Sequence, residues 1–163
     1  MTTPEAIHPR TSEQVRNILA LANLIELGRY AFDMGDGNAD LSCGSAGCVG
    51  GHAAVLWPDI RVLTRGANRF SWSQSLLCEK LGLTSPEHDD LCFPDDWHDH
   101  DGPKGLSYDE VTGRHAVATL RRLVVFGVVC YCRGDAQEEV YDALATEALE
   151  IVRRARQHED DAR

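Results

Sequence analysis

Asp40-Leu41-Ser42-Cys43-Gly44-Ser45-Ala46-Gly47-Cys48-Val49-Gly50-Gly51-His52-Ala53-Ala54-Val55-Leu56-Trp57-Pro58 is the most constrained stretch of the chain, and the fold turns on how it is read. Its centre is Cys43-x4-Cys48-x3-His52. A serine hydroxyl can accept from the orphan backbone N–H groups of a first helical turn, and proline cannot continue a helix. The stretch therefore predicts a helix capped by Ser45 and stopped at Pro58. Residues at i and i+4 share a helix face, so His52 falls one turn beyond Cys48 on the same side, with Cys43 just before the helix start. Ala46, Gly47, Gly50, Gly51, Ala53 and Ala54 would let other backbones come close. A glycine inside a helix costs about 1 kcal/mol relative to alanine, so such a helix needs tight packing to offset its glycines.

The rest of the composition suits that picture. The chain has 163 residues, 43% of them hydrophobic, and a domain of this size buries roughly 70% of the surface its unfolded chain would expose. Twenty-six acidic residues against 16 basic ones give a formal charge of −10, a field that repels nucleic acid and anionic lipid and attracts basic protein surfaces. No apolar run approaches the roughly 20 residues of a membrane span, and residues 1–10 carry no signal-peptide core. A cytoplasmic location is expected. In a reducing compartment the six cysteines are free thiols, metal ligands or a reactive thiol before they are structural bridges.

Along the chain, residues 1–10 read as a flexible arm and residues 11–157 as one helical domain. Thr11 and Gln14 form a capping-box signature, and Val15, Ile18, Leu19, Ala22 and Ile25 follow at helical spacing, which predicts a helix over 12–27 stopped at Gly28. Residues 30–34 are a short apolar segment that docks on the core, followed by a turn-rich loop. Beyond Pro58 a short extended piece is predicted over 60–63. Ser71-x-x-Gln74 predicts a helix over 72–81 ended by Gly82, and Ser85 with Pro86 opens another that closes at residues 91–93. Ser107-x-x-Glu110 predicts a helix over 108–126 stopped by Gly127, residues 128–132 an extended segment, and Asp135-x-x-Glu138 the last helix. Residues 158–163 are expected to fray. The fold class is mainly α: a single compact domain of about six helices around a central small-residue helix, with at most minor extended segments and too little alternation for a sheet.

Taken together, Phe32-Asp33-Met34, the run from Cys43 to Ala53, Leu81-Gly82-Leu83-Thr84 and Leu91-Cys92-Phe93-Pro94 resemble a group of small bacterial and bacteriophage proteins. That group carries the pattern Cys-Gly-Thr/Ser-x-x-Cys-x-x-Gly. The resemblance spans residues 12–129 and leaves the last helix outside. It departs in having Cys92 between Leu91 and Phe93, and the position of His52 is often Trp or His in the group. The resemblance implies a small phage- or prophage-like protein and no particular reaction.

Three chemistries compete for the central motif. Cysteine packs as a small hydrophobe, so Cys43 and Cys48 can fill space where helices nearly touch. Cys43, Cys48 and His52 are also candidate zinc ligands, with Cys92, His98, His100, Cys130 or Cys132 as a fourth, although the spacing is not that of a Cys-x2-Cys knuckle. A thiolate at a helix start with His52, His98, His100 or His115 as base would make a thiol enzyme, for which no orienting acid is identifiable. A calcium loop at Asp36-x-Asn38-x-Asp40 fails because Leu41 stands where glycine is needed and Gly47 where the bidentate glutamate belongs. Two functional classes follow. The favoured one is a protein-binding module acting by shape and negative charge, with Trp57, Trp72 and Trp97 as candidate anchors. The alternative is a metal- or thiol-dependent enzyme centred on the Cys-x4-Cys-x3-His motif.

Overall fold

The computed structural model describes residues 10–34, 39–40, 45–63, 69–93, 106 and 110–163. Six α-helices dominate it, as the periodicity predicts: α1 (Ser12–Glu26), α2 (Val49–Leu56), α3 (Gln74–Leu81), α4 (Ser85–Cys92), α5 (Gly113–Phe126) and α6 (Glu138–Asp161). The extended pieces, however, do not stay separate. β1 (Ala31–Phe32), β2 (Ala39–Asp40), β3 (Ser45–Gly47), β4 (Arg61–Leu63) and β5 (Arg69–Trp72) join in one small sheet of order β1-β3-β2-β5-β4. β1 runs parallel to β3, and the other pairs are antiparallel. Strands of two to four residues carry too little alternation to be recognised by pattern, so the sequence reading missed the sheet.

α2 lies between the two layers, with α1 on one side and β2, β3 and β5 on the other. Residues 49–54 are all buried. Two close approaches set this arrangement. A Cβ on Gly51 would fall 1.8 Å from the Ala46 carbonyl oxygen, and one on Gly50 would fall 2.2 Å from the Trp72 ring. The helix is therefore central, as its small residues predict, but it starts later than expected. Ser45 is a residue of β3, and Cys48 is the N-cap, without a side-chain cap bond. Pairing with β1 and β2 occupies the backbone that a first helical turn would have used.

The other layer is a three-helix pack in which α1 lies along α5 and α6 covers both. The start of α5 sits at the end of α1, where Gly113 meets Ile25 and Phe32. Glu26 ties the three together, accepting from Arg121 Nη2 at 2.9 Å and from the Tyr141 hydroxyl at 2.5 Å. The Arg114 and Arg121 guanidinium groups lie 4.0 and 4.6 Å from the centre of the Tyr141 ring. No helix of the described residues is long and apolar enough to cross a membrane.

Several helix starts differ from the sequence reading for one reason: a cap can be supplied by residue types or registers that the signature does not list. Thr11 and Gln14 do form the reciprocal box on α1. Ser71 instead pairs with Val62 in the sheet, and Ser73 caps α3. Thr84 with Glu87, one residue before the expected Ser85, caps α4. α5 starts at Gly113 rather than 108, because Thr112 and the imidazole of His115 form the box there. Asp135 does not cap α6; it is buried against Arg122, and Gln137 holds the N-cap position. Gly82 and Gly127 end α3 and α5 in the left-handed conformation, as predicted. Residues 128–132 form no strand, and α6 continues to Asp161 through the segment expected to fray. Arg10, at the end of the expected arm, is buried and bonds the Leu81 carbonyl and Glu87.

The two glycines of α2 give a direct check. Gly51→Ala should destabilise the protein by about 1–3 kcal/mol in urea unfolding, since β3 backbone must move, despite a gain of about 1 kcal/mol in helix propensity. Gly134→Ala, where a Cβ meets nothing within 4 Å, should leave the unfolding midpoint unchanged.

Candidate functional site

The centre of the motif is built at the start of α2. The Cys48 carbonyl accepts twice from His52, from its backbone N–H at 3.0 Å and from Nδ1 at 3.1 Å. A carbonyl can only accept, so Nδ1 carries the proton and the ring's other nitrogen, Nε2, presents a lone pair. His52 is fully buried, and Nε2 has no hydrogen-bond partner in the structure. Phe32 of β1 lies against the ring, with centroids 5.6 Å apart. Burial lowers the His52 pKa below 6.5, and the nearby backbone of Cys48, Tyr30 and Gly47 only partly opposes this. The imidazole is held neutral.

The structure brings Cys48 and His52 together as the i, i+4 spacing predicts, but it joins them through the Cys48 carbonyl. Cys43, His98, His100 and Trp97 lie outside the described residues. Of the proposed further ligands, Cys92 arrives: at the end of α4 it takes the Gly50 N–H and lies close enough to Cys48 to feel its charge. Burial pushes the Cys92 thiol well above its ordinary range, outweighing the lowering by that N–H. Cys130 and Cys132 belong instead to the segment between α5 and α6, near Arg122 and Asp135. The His115 Nδ1 accepts from the Thr112 N–H at 3.1 Å in the α5 cap, and its charged neighbours are Asp135, Arg133 and Glu110. Among the described residues, no three His, Cys, Asp or Glu side chains form a group able to hold a metal ion.

A second cluster escaped the sequence reading. Trp72, pressed on Gly50, donates from Nε1 to His88 Nε2 at 3.2 Å, and His88 Nδ1 in turn donates to Asp89 at 3.0 Å. Phe93 stacks on Trp72 and meets the His88 ring edge-on. The indole can only donate, so this bond fixes the His88 tautomer and occupies the nitrogen a general base would use. The assembly is a latch holding β5 and α4 to α2. Nothing in the spacing of Trp72 and His88, 16 residues apart, marks them as partners. Trp57 is half-buried with Lys80 above its ring. An open depression lined by Ser73, Gln74, Ser75, Cys78, Leu83 and Ser85 completes the described features. There burial raises the Cys78 thiol, helped by Asp89 and Glu87.

Comparisons with protein-family models, curated proteins and solved structures give no match to this chain.

The buried imidazole has a pH signature. Above pH 6.5, the ordinary value for His52, both folded and unfolded states leave it neutral and it does not affect stability. Below that pH the unfolded chain binds a proton that the folded one refuses, so stability falls as pH falls. His115, also lowered by burial, acts in the same direction. His52→Asn, which keeps a donor towards the Cys48 carbonyl, should flatten the stability profile below pH 6.5. An unchanged slope would contradict a buried neutral ring.

Proposed function

We propose that the chain is a small acidic, phage- or prophage-like cytoplasmic protein that works by binding another protein, modulating a host or partner molecule through shape and negative charge. The observation that supports this is the β4 edge. Among the described residues β4 pairs with β5 on one side only, and its Val62 and Leu63 are 45% and 85% exposed. Arg61 is turned back, with Nε on the Ala54 carbonyl at 2.7 Å and its guanidinium over Phe70, so it does not charge the outer face. A sheet edge with unmatched N–H and C=O groups and exposed apolar side chains accepts an extended segment as an added strand, main-chain bonds giving affinity and alternate side chains selectivity. The charge of −10 favours a segment containing Lys and Arg and speeds its approach. The likeness carried by Cys43-Gly44-Ser45 and Cys48-x-x-Gly51 supports the phage-like assignment.

Peptides selected on the full chain from a displayed library should be extended, basic and rich in β-branched residues. Their Kd should rise at least about tenfold, or 1.4 kcal/mol, on the Val62→Lys, Leu63→Lys double variant. Both side chains face solvent, so the melting temperature should not move. Peptides that bind the double variant as tightly as the parent would remove the reading.

His52 supports a second reading, a metal- or thiol-dependent enzyme centred on Cys43, Cys48 and His52. A metal-ligating imidazole is commonly oriented in this way, with a carbonyl holding Nδ1–H and Nε2 left with its lone pair. Zinc suits two thiolates and an imidazole. Protein prepared without chelator or polyhistidine tag should then carry close to one equivalent of zinc; less than about a tenth of an equivalent rules the site out.

A further inference from the structure

A separate pair of thiols lies between α5 and α6. Cys130 and Cys132 are free and half-buried, and the residue between them, Tyr131, is buried. That alternation, with Cys132 at φ −95° and ψ 129°, is the pattern of extended chain, in which residues i and i+2 face the same way. The Cys130 thiol lies close enough to that of Cys132 to raise it. The segment is fixed at four points. The Thr119 hydroxyl donates to the Cys130 carbonyl at 3.1 Å, and the Tyr131 hydroxyl to the Leu91 carbonyl at 2.6 Å. The Leu106 N–H reaches the Tyr131 carbonyl at 3.4 Å, and the Asp135 N–H the Cys132 carbonyl at 3.0 Å. Arg122 and Asp135, bonded to each other, both act on Cys132, and the carboxylate outweighs the guanidinium.

We propose that Cys130 and Cys132 form a two-thiolate site for a soft monovalent cation of the Cu(I) or Ag(I) class. Thiolates select such ions, and two donors match the two-coordinate geometry that they accept and zinc does not. Asp135, the neighbouring carboxylate, is engaged by Arg122, and no group of three potential ligands exists among the described residues. A direct disulfide fits less well. Two extended residues hold their Cα atoms about 6.5 Å apart, at the long end of the disulfide range, whereas an ion between the sulfurs adds reach without moving the pinned backbone. On binding, two S–H bonds break, two metal–sulfur bonds form, two protons pass to water, and the ion stays monovalent with no electron transferred. The product carries one net negative charge. Burial and the neighbouring Cys130 thiol push the Cys132 thiol up to about 12, so the ion competes with protons and the site should strengthen with pH.

The test is titration of the fully reduced full-length chain with Ag(I), which is inert to redox cycling, and then with Cu(I) supplied from a competing chelator under anaerobic conditions. Cys130→Ser and Cys132→Ser should each lose one equivalent that Cys78→Ser retains. Apparent affinity for that equivalent should rise up to about 100-fold per pH unit, as two displaced protons require. Circular dichroism and melting temperature establish that the serine variants fold. Independently of any variant, one equivalent of Ag(I) should protect Cys130 and Cys132 of the parent chain from alkylation, read by peptide mass spectrometry. Serine variants that bind as many ions as the parent, or protection mapping to other cysteines, would overturn the proposal.

Discussion

The contact on which the architecture depends is the one between Gly51 and the Ala46 carbonyl, too close for any side chain at 51. It seats β3 directly on α2. β3 is also the strand that links β1 to β2, so the left half of the sheet takes its position from this contact. On the neighbouring residue, Gly50, the Trp72 ring also lies too close for any side chain and positions β5. Trp72 then reaches His88 and Phe93 and draws in α4, whose last residue, Cys92, comes to the start of α2. Two missing side chains thus place five elements and two thiols.

That tight closure decides the electrostatics at the motif. A helix start stabilises negative charge, and an unburied thiol there would be acidified. Cys92 has the backbone N–H that such acidification requires, yet its thiol is raised, because removal from water costs the thiolate more than one N–H returns. The same burial lowers His52. A proton-poor imidazole and a proton-rich Cys92 thiol are a compatible neutral pair for a packed interior. A metal ion entering there would have to displace thiol protons, so its binding would be steeply pH-dependent.

The helices were legible because their signals are local. The stripe from Val15 to Ile25 and the Thr11–Gln14 box appear in the structure as read. The central helix was recognisable from glycines and alanines that only close packing can justify. The sheet was not, because its pairings join residues such as Asp40 and Arg69 across stretches where no periodicity accumulates. Ser45 illustrates the competition: a good N-cap by type, it is drawn into strand pairing with Ala31 and Asp40, and the helix starts one turn later. The Cys48–His52 proximity followed from helix geometry, whereas the Cys48–Cys92 and Trp72–His88 partnerships are tertiary and left no trace in spacing.

Charge and apolar surface divide the work in the proposed binding mode. Among the described residues, eight basic side chains are engaged with carboxylates, among them Arg10 with Glu87, Lys80 with Asp59 and Arg121 with Glu26. Pairing cancels these charges locally and leaves the negative excess facing solution. That excess acts within a Debye length of about 8 Å at physiological salt, so it guides an approaching basic segment without fixing its register. Register must come from short-range contacts, and β4 provides these through a ladder of backbone groups flanked by Val62 and Leu63. Added salt should therefore slow association while leaving dissociation nearly unchanged, because separation of an added strand is resisted by hydrogen bonds and apolar burial that salt screens little.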